Sequence, residues 1–106
     1  MVRRDTKLLK YIRDRIVQEY KPEKIILFGS RAYGKPNQDS GYDVFIIKRT
    51  KRQDIDRIRD VSDIFLKRDF SLDVIVRTPT ELKRRLQDGS CLYKEIMTKG
   101  VILYEK

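Results

Sequence analysis

The stretch IILFGSRAYG, residues 25–34, decides the fold, because an apolar run ends there in a glycine–serine pair. A second apolar run, residues 43–47, opens on Asp43, and a third, residues 72–76, carries Asp73 inside it. Runs of this length and composition are typical of buried β-strands. An ionised carboxylate beside a packed sheet loses hydration and therefore needs a partner, commonly a cation. A glycine-bordered turn directly after a strand is a favourable place for a phosphate group.

The chain has 106 residues, a formal charge of +9 and a pI near 9.8. This length suits one domain, and we expect residues 1–106 to form it. Excess positive charge favours a polyanionic partner, such as a nucleotide, an RNA or an acidic protein. The basic residues are spread along the chain, with local clusters at residues 48–52 and 83–85. A solubilising surface explains such clusters equally well, so they do not select among these partners.

Composition excludes several kinds of site. The chain has one cysteine, Cys91, and no histidine, which rules out an internal disulfide, a zinc site and any histidine general base. A metal would therefore be a hard cation bound by oxygen, which means Mg²⁺ or Mn²⁺. Cys91 itself is expected to be a small buried apolar residue. The sequence has no stretch as apolar and as long as a membrane span and no signal-peptide core, so we expect a cytoplasmic protein.

Periodicity, caps and chain breakers predict eight elements. They are a helix, two strands, a helix, a strand, two helices and a strand, at residues 6–20, 24–28, 42–48, 54–69, 71–76, 78–88, 90–99 and 101–104. The predicted helix 54–69 takes its apolar face from a repeat of Ile55, Ile58, Val61, Ile64 and Phe65. The element order predicts an α/β (α+β) fold in which helices pack on a small mixed β-sheet.

The segment after the first strand has more than one interpretation. Gly29-x-x-x-x-Gly34-Lys35 nearly spells a P-loop, but Pro36 stands where a serine or threonine would ligate Mg²⁺. Taken singly, the two glycines are explained as turn residues, and Ser30 is explained as a helix N-cap. A short helical turn is expected to begin at Ser30. Spacing to the downstream aspartates is therefore needed to choose among these interpretations.

From Gly29 onward the chain resembles the nucleotidyltransferase superfamily of DNA polymerase β, in particular its minimal nucleotidyltransferase (MNT) proteins. Those proteins carry Gly-Ser, ten residues, Asp-x-Asp, and a third aspartate on a later strand. Here Gly29-Ser30 is followed by ten residues, by Gly41-Tyr42-Asp43, and later by Asp73. The flanking segments RAYG (residues 31–34), DS (residues 39–40) and GVILY (residues 100–104) also resemble the sequence pattern of the family. The resemblance covers most of the chain and implies the polymerase-β-type nucleotidyltransferase fold.

The resemblance also implies roles for particular residues. Gly29, Ser30 and Arg31 would bind the nucleotide, which is ATP or another nucleoside triphosphate. Asp43 and Asp73 would be catalytic and would bind Mg²⁺ or Mn²⁺.

One position departs from the family pattern. Residues two apart on a strand point to one face, so acids at positions 41 and 43 would reach the same ion. Gly41 removes the first of these acids. Asp39 lies two residues earlier and is a possible substitute.

Two hypotheses about function follow from the resemblance. In the first, the protein is an MNT antitoxin that transfers a nucleoside monophosphate to a hydroxyl of a protein or an RNA, its partner being a HEPN-domain protein. In the second, the loss of the acid at Gly41 has impaired catalysis, and the chain neutralises a HEPN partner by binding alone. Both hypotheses allow a homo- or hetero-oligomer, and neither involves a membrane.

Overall fold

The computed structural model describes residues 3–35 and 41–106, with side chains from residue 7 onward. The elements in chain order are α1 (Arg3–Tyr20), β1 (Lys24–Phe28), α2 (Ser30–Tyr33), β2 (Tyr42–Ile47), α3 (Asp54–Ile64), β3 (Leu72–Arg77), α4 (Pro79–Gln87), α5 (Cys91–Lys99) and β4 (Val101–Glu105). This order agrees with the one that the sequence predicts, with α2 as the expected short turn of helix. Within the described ranges, none of the helices combines the length and the hydropathy that crossing a lipid bilayer requires.

The four strands form one mixed sheet in the order β3-β2-β1-β4. Strand β1 is antiparallel to both β2 and β4, whereas β2 and β3 are parallel. The parallel pair is joined by α3, which crosses over one face of the sheet. A mixed sheet with packed helices is the predicted fold class, and the prediction is confirmed.

Strand alternation divides the core into two layers. Ile25 and Leu27 of β1 face α1 and α3, together with Val44 of β2. Ile26 and Phe45 point to the opposite face, where α4 and α5 cover them. All of these side chains are buried, because successive residues of a strand inside a two-sided core alternate between two apolar layers.

Helix α3 ends earlier than the predicted residue 69. The Phe65 N–H donates to the Ser62 carbonyl, and the Arg68 N–H donates to the Phe65 carbonyl, so the chain leaves the helix in a tight turn. The ring of Phe65 then packs edge-to-face against Phe70, at 6.1 Å between centroids. This aromatic contact stabilises the turn that replaces the last predicted helical residues.

The apolar face of α3 also differs from the prediction. Ile55 is 64% exposed and Ile58 is 39% exposed, whereas Arg57 between them is 7% exposed. Arg57 is turned inward by a hydrogen-bonded ion pair with Glu81 at the start of α4. The pair therefore makes Arg57, and not Ile55 or Ile58, the inward-facing residue at the start of α3.

The predicted burial of Cys91 is wrong, because Cys91 is exposed. Helix α5 buries Tyr93 and Ile96, which are three residues apart and face the sheet. Cys91 is the first residue of that helix and lies off the buried stripe.

Candidate functional site

Asp43 and Asp73 are direct neighbours across the parallel pair of β2 and β3. Each is the second residue of its strand, so both side chains point to the same face of the sheet as Phe45. Asp43 is half-buried and Asp73 is exposed, which leaves the pair open to solvent. Two residues separated by thirty positions in the sequence therefore form one carboxylate pair at the sheet surface.

The environment of this pair disfavours a charge on both carboxylates. Burial raises the pKa of Asp43 above its ordinary value, and the neighbouring Asp73 raises it further through its charge and a side-chain hydrogen bond. Two carboxylates in such contact are stabilised by a shared proton or by a cation. The pair can therefore bind a hard divalent cation through oxygen, or hold a proton when no cation is bound.

Gly29 lies against the same pair. Its φ of 76° and ψ of −159° belong to a backbone region that is almost restricted to glycine. A Cβ placed on Gly29 would overlap the Oδ2 atom of Asp43 and would lie 3.1 Å from its Cγ atom. The absence of a side chain is thus what allows the turn after β1 to approach the carboxylate.

Helix α2 begins immediately after this contact. Gly29 is its N-cap, and the Gly29 carbonyl accepts from the N–H groups of Ala32 and Tyr33. Ser30 is the first residue of the helix, which excludes the alternative that Ser30 serves as the N-cap. Ser30 directly follows Gly29, the residue that lies against Asp43.

Arg31 is directed away from the pair. Its guanidinium carbon lies 4.3 Å from the centre of the Tyr42 ring, in a cation–π contact. Tyr42 packs with Val44 and Phe70 on the face that carries α1 and α3. In this structure the charge of Arg31 therefore lies on the opposite face of the sheet from Asp43, although the two residues belong to the same predicted site.

Gly41 stands two residues before Asp43, and its surroundings show what an acid would meet there. A Cβ on Gly41 would lie 3.0 Å from the Cβ of Ser71 and 3.4 Å from the Ser71 carbonyl oxygen. The φ of Gly41 is outside the left-handed region, so the backbone accepts other residues. A side chain at this position therefore requires only a small displacement of Ser71.

The described residues contain no group of three or more acidic or cysteine side chains that could hold a metal ion. Asp43 and Asp73 provide two carboxylates, and Asp39 lies outside the described residues. Two cavities in the described part of the chain lie elsewhere, one between α1 and the segment 63–70 and one beside Arg77. The predicted site is an open surface at the N-terminal ends of β2 and β3 and is not an enclosed cavity.

Sequence reasoning missed the burial of Arg57 against Glu81. Arg57 interrupts an apolar repeat, and Glu81 ends the segment Thr78-Pro79-Thr80-Glu81, whose sequence predicts a capping box at the start of a helix, so neither residue signals a partner by itself. Tyr42 has a signal in the alternation of β2, because Val44 and Ile46 occupy the same buried layer. That alternation places the Tyr42 ring on the face of the sheet opposite to the face that carries Asp43.

Residues 10–106 match the sequence profile of the family described as polymerase beta, nucleotidyltransferase, and the chain belongs to that family. No curated protein sequence is significantly similar to it. Its fold resembles that of a protein from Sulfolobus solfataricus assigned as a nucleotidyltransferase, with a TM-score of 0.66, 22% identity, and coverage of 94% of this chain and 79% of the other. It also resembles a mutant of the toxin–antitoxin MntA–HpeT, with a TM-score of 0.57, 22% identity, and coverage of 95% and 73%.

Proposed function

We propose that this protein is an MNT antitoxin that transfers a nucleoside monophosphate from ATP to a hydroxyl group of a HEPN-domain partner, with cleavage of the bond between the α- and β-phosphates and release of pyrophosphate. The observation that carries the proposal is the Asp43–Asp73 pair, in register on neighbouring strands and contacted by Gly29. Nucleotidyl transfer requires carboxylates close to the bound phosphates. Asp43 and Asp73 are two such carboxylates, and they meet on the described surface.

The donor set of the pair fits Mg²⁺ or Mn²⁺. Both ligands are carboxylate oxygens, and the pKa of Asp43 is raised first by burial and then by the charge of Asp73, both of which a bound cation would offset. Divalent ions of this kind complete their coordination with water and with substrate phosphates, so two protein carboxylates are a workable minimum. When bound there, the ion would neutralise phosphate charge and orient the attacking oxygen.

The residues of the chain have separate roles in this proposal. Gly29 allows the turn, and with it the triphosphate, to approach the carboxylate pair. Ser30 donates a hydrogen bond from its hydroxyl group to a phosphate oxygen. Asp73, which is exposed, accepts the proton of the attacking hydroxyl. Arg31 joins the nucleotide only if it leaves the ring of Tyr42, because the two groups now lie 4.3 Å apart on the other face.

A protein partner is supported by the similar fold of MntA–HpeT, which belongs to a toxin–antitoxin complex. The charge of +9 on 106 residues suits an acidic protein surface, and it suits RNA equally well. A partner that supplies the acceptor hydroxyl would bind at the open edge of β2 and β3, where Asp73 is exposed. RNA is the alternative acceptor.

The second candidate is a subunit that neutralises the HEPN partner by binding without transferring a nucleotide. Gly41 favours it, because the position that would add a carboxylate beside Asp43 carries no side chain. In this case the carboxylate pair is retained as part of a binding surface. The two candidates differ in whether a nucleotide becomes covalently attached to the partner.

The experiment that separates them is incubation with α-labelled ATP and Mg²⁺ together with a candidate HEPN-domain partner from the same genome. We expect labelled partner with the wild-type protein and none with Asp73→Asn. Complex formation without any label would instead favour the binding subunit. Absence of both label and complex would contradict both candidates.

A further inference from the structure

A second cluster of charged side chains lies beside the C-terminal end of β3. A cavity of about 200 Å³ is lined there by Asp54, Arg57, Arg77, Glu81 and Arg85. All five of its lining residues are ionisable. The three guanidinium groups outnumber the two carboxylates, so the cavity has one positive charge in excess.

Two of the arginines are neutralised by the two carboxylates. Arg57 Nη1 donates to Glu81 Oε1 at 2.7 Å, while its Nε donates to the carbonyl of Arg52 at 2.7 Å. Arg77 Nη1 donates to Asp54 Oδ1 at 3.0 Å. These pairs fix the walls of the cavity, because they connect the start of α3 to the end of β3 and the start of α4.

The third arginine, Arg85, has a different environment. Its guanidinium carbon lies 5.9 Å from the centre of the Tyr93 ring, and no carboxylate within residues 3–35 and 41–106 forms an ion pair with it. The hydroxyl of Tyr93 accepts a hydrogen bond from Arg77 Nε at 2.8 Å. Tyr93 therefore holds Arg77 and Arg85 on the same side of the cavity.

Arg77 also retains a donor. Its Nε and Nη1 atoms are hydrogen-bonded to Tyr93, Asp54 and the Val76 carbonyl, whereas Nη2 donates to no group in the described part of the chain. A planar guanidinium with a free edge, next to a second guanidinium without a carboxylate, matches the geometry of an oxyanion that is bound by several donors.

This cluster is separate from the carboxylate pair. Arg77 follows Asp73 by four residues on β3, which corresponds to about 13 Å along the strand. Both side chains point to the same face, but Asp73 is at the beginning of the strand and Arg77 is at its end. On this face of the sheet, the N-terminal end of β3 thus carries negative charge and its C-terminal end carries positive charge.

We propose that Arg77 and Arg85 form a binding site for the phosphate group of a ligand, with the Arg57–Glu81 pair as its fixed wall. Three features select an oxyanion: the excess positive charge, the Nη2 atom of Arg77 and the guanidinium of Arg85, the last two having no carboxylate partner among the residues that the structure describes. In the sequence, the basic residues 48–52 precede the lining residue Asp54, and Lys83 and Arg84 precede the lining residue Arg85. The site stands independently of the proposed transfer reaction, because none of its residues belongs to the carboxylate pair.

The test is titration of the protein with inorganic phosphate, with diphosphate and with a ten-nucleotide oligo(U) RNA, at constant ionic strength. Binding is followed by NMR through the side-chain Nε signals of the arginines. The variants are Arg85→Gln and Arg85→Lys, with Arg84→Gln as the matched control. Arg84 is the neighbouring exposed residue of the same helix and does not line the cavity, so both Gln variants lose one positive charge.

We expect saturable binding that Arg85→Gln weakens by about tenfold and Arg84→Gln by less than about twofold. Arg85→Lys should give an intermediate loss, because it keeps the charge and loses the planar fork. If the RNA binds with the same dependence on Arg85, the phosphate belongs to a nucleic acid; if only the small anions bind, it belongs to a small ligand. Equal effects of the two Gln variants would overturn the proposal, and so would the absence of saturable binding of all three probes.

Discussion

Replacing Gly29 by alanine tests the contact on which the arrangement of the site depends. The substitution places a Cβ on the Oδ2 atom of Asp43, so the carboxylate must move away from its position beside Asp73. It also holds a non-glycine residue at a φ of 76° and a ψ of −159°. The two costs have separate physical origins and can be measured separately.

The backbone cost is about 1–3 kcal/mol for a residue held in this sparsely populated region. Displacement of the half-buried carboxylate adds about 1–2 kcal/mol, the lower part of the usual range for overpacking, because its outer oxygen can shift towards solvent. We therefore expect Gly29→Ala to lower the free energy of unfolding by about 2–5 kcal/mol. Gly89 is the matched control, because it has a φ of 84° and nothing within 4 Å of an added Cβ. Gly89→Ala should cost only about 1–2 kcal/mol, from the backbone alone.

Urea unfolding of four proteins isolates the steric term. They are the wild type, Gly29→Ala, Asp43→Ala and the double variant. If the Cβ collides with the carboxylate, Gly29→Ala costs at least about 1 kcal/mol less in the Asp43→Ala background. Additive effects would refute the reasoning, since they would mean that residue 29 does not contact Asp43.

Three further predictions concern charge. The raised pKa of Asp43 means that protonation favours the folded state, so the stability of the metal-free protein should fall as pH rises from about 4 through that pKa, and Asp43→Asn should remove this fall in urea unfolding at a series of pH values. The pKa of Glu81 is lowered from 4.5 to about 2, so its ionised form stabilises the fold above pH 4.5, and this stabilisation is lost as the pH falls towards 2. Because the Glu81 side chain is 42% exposed, solvent screening reduces this stabilisation to about 1–2 kcal/mol, and Glu81→Gln should cost that amount at pH 7, against about 0.5 kcal/mol or less for Glu19→Gln in an exposed pair. Gly41→Asp should lower the melting temperature in chelator through like-charge repulsion, and adding Mg²⁺ should restore the melting temperature. A melting temperature of the variant that does not change with Mg²⁺ would place position 41 away from the metal.

The parts of the fold that follow local rules were predictable from the sequence. Alternation along each strand places Asp43 and Asp73 on a face of the sheet. The capping box at Thr78 forms as the sequence predicts, with Thr78 and Glu81 exchanging side-chain hydrogen bonds to the backbone. Such patterns depend on residues within a few positions of one another.

The parts that depend on distant contacts were not predictable from local patterns. The family resemblance implies that Asp43 and Asp73 share one site, but the parallel register that sets them side by side results from the crossover of α3 and from packing on both faces. Arg57 is buried only because Glu81, 24 residues away, supplies its partner. Arg31 stacks on Tyr42 across a segment whose path the sequence does not specify. In each case a non-local partner decides the orientation of a polar side chain.

A divalent cation bound by Asp43 and Asp73 should contribute directly to nucleotide affinity. Calorimetric titration with ATP, in Mg²⁺ and then in chelator, of the wild type and of Asp73→Asn measures this contribution. We expect Mg²⁺ to strengthen ATP binding to the wild type by at least about tenfold and Asp73→Asn to abolish this gain. Equal affinity of the wild type for ATP in Mg²⁺ and in chelator would contradict a metal-bridged site.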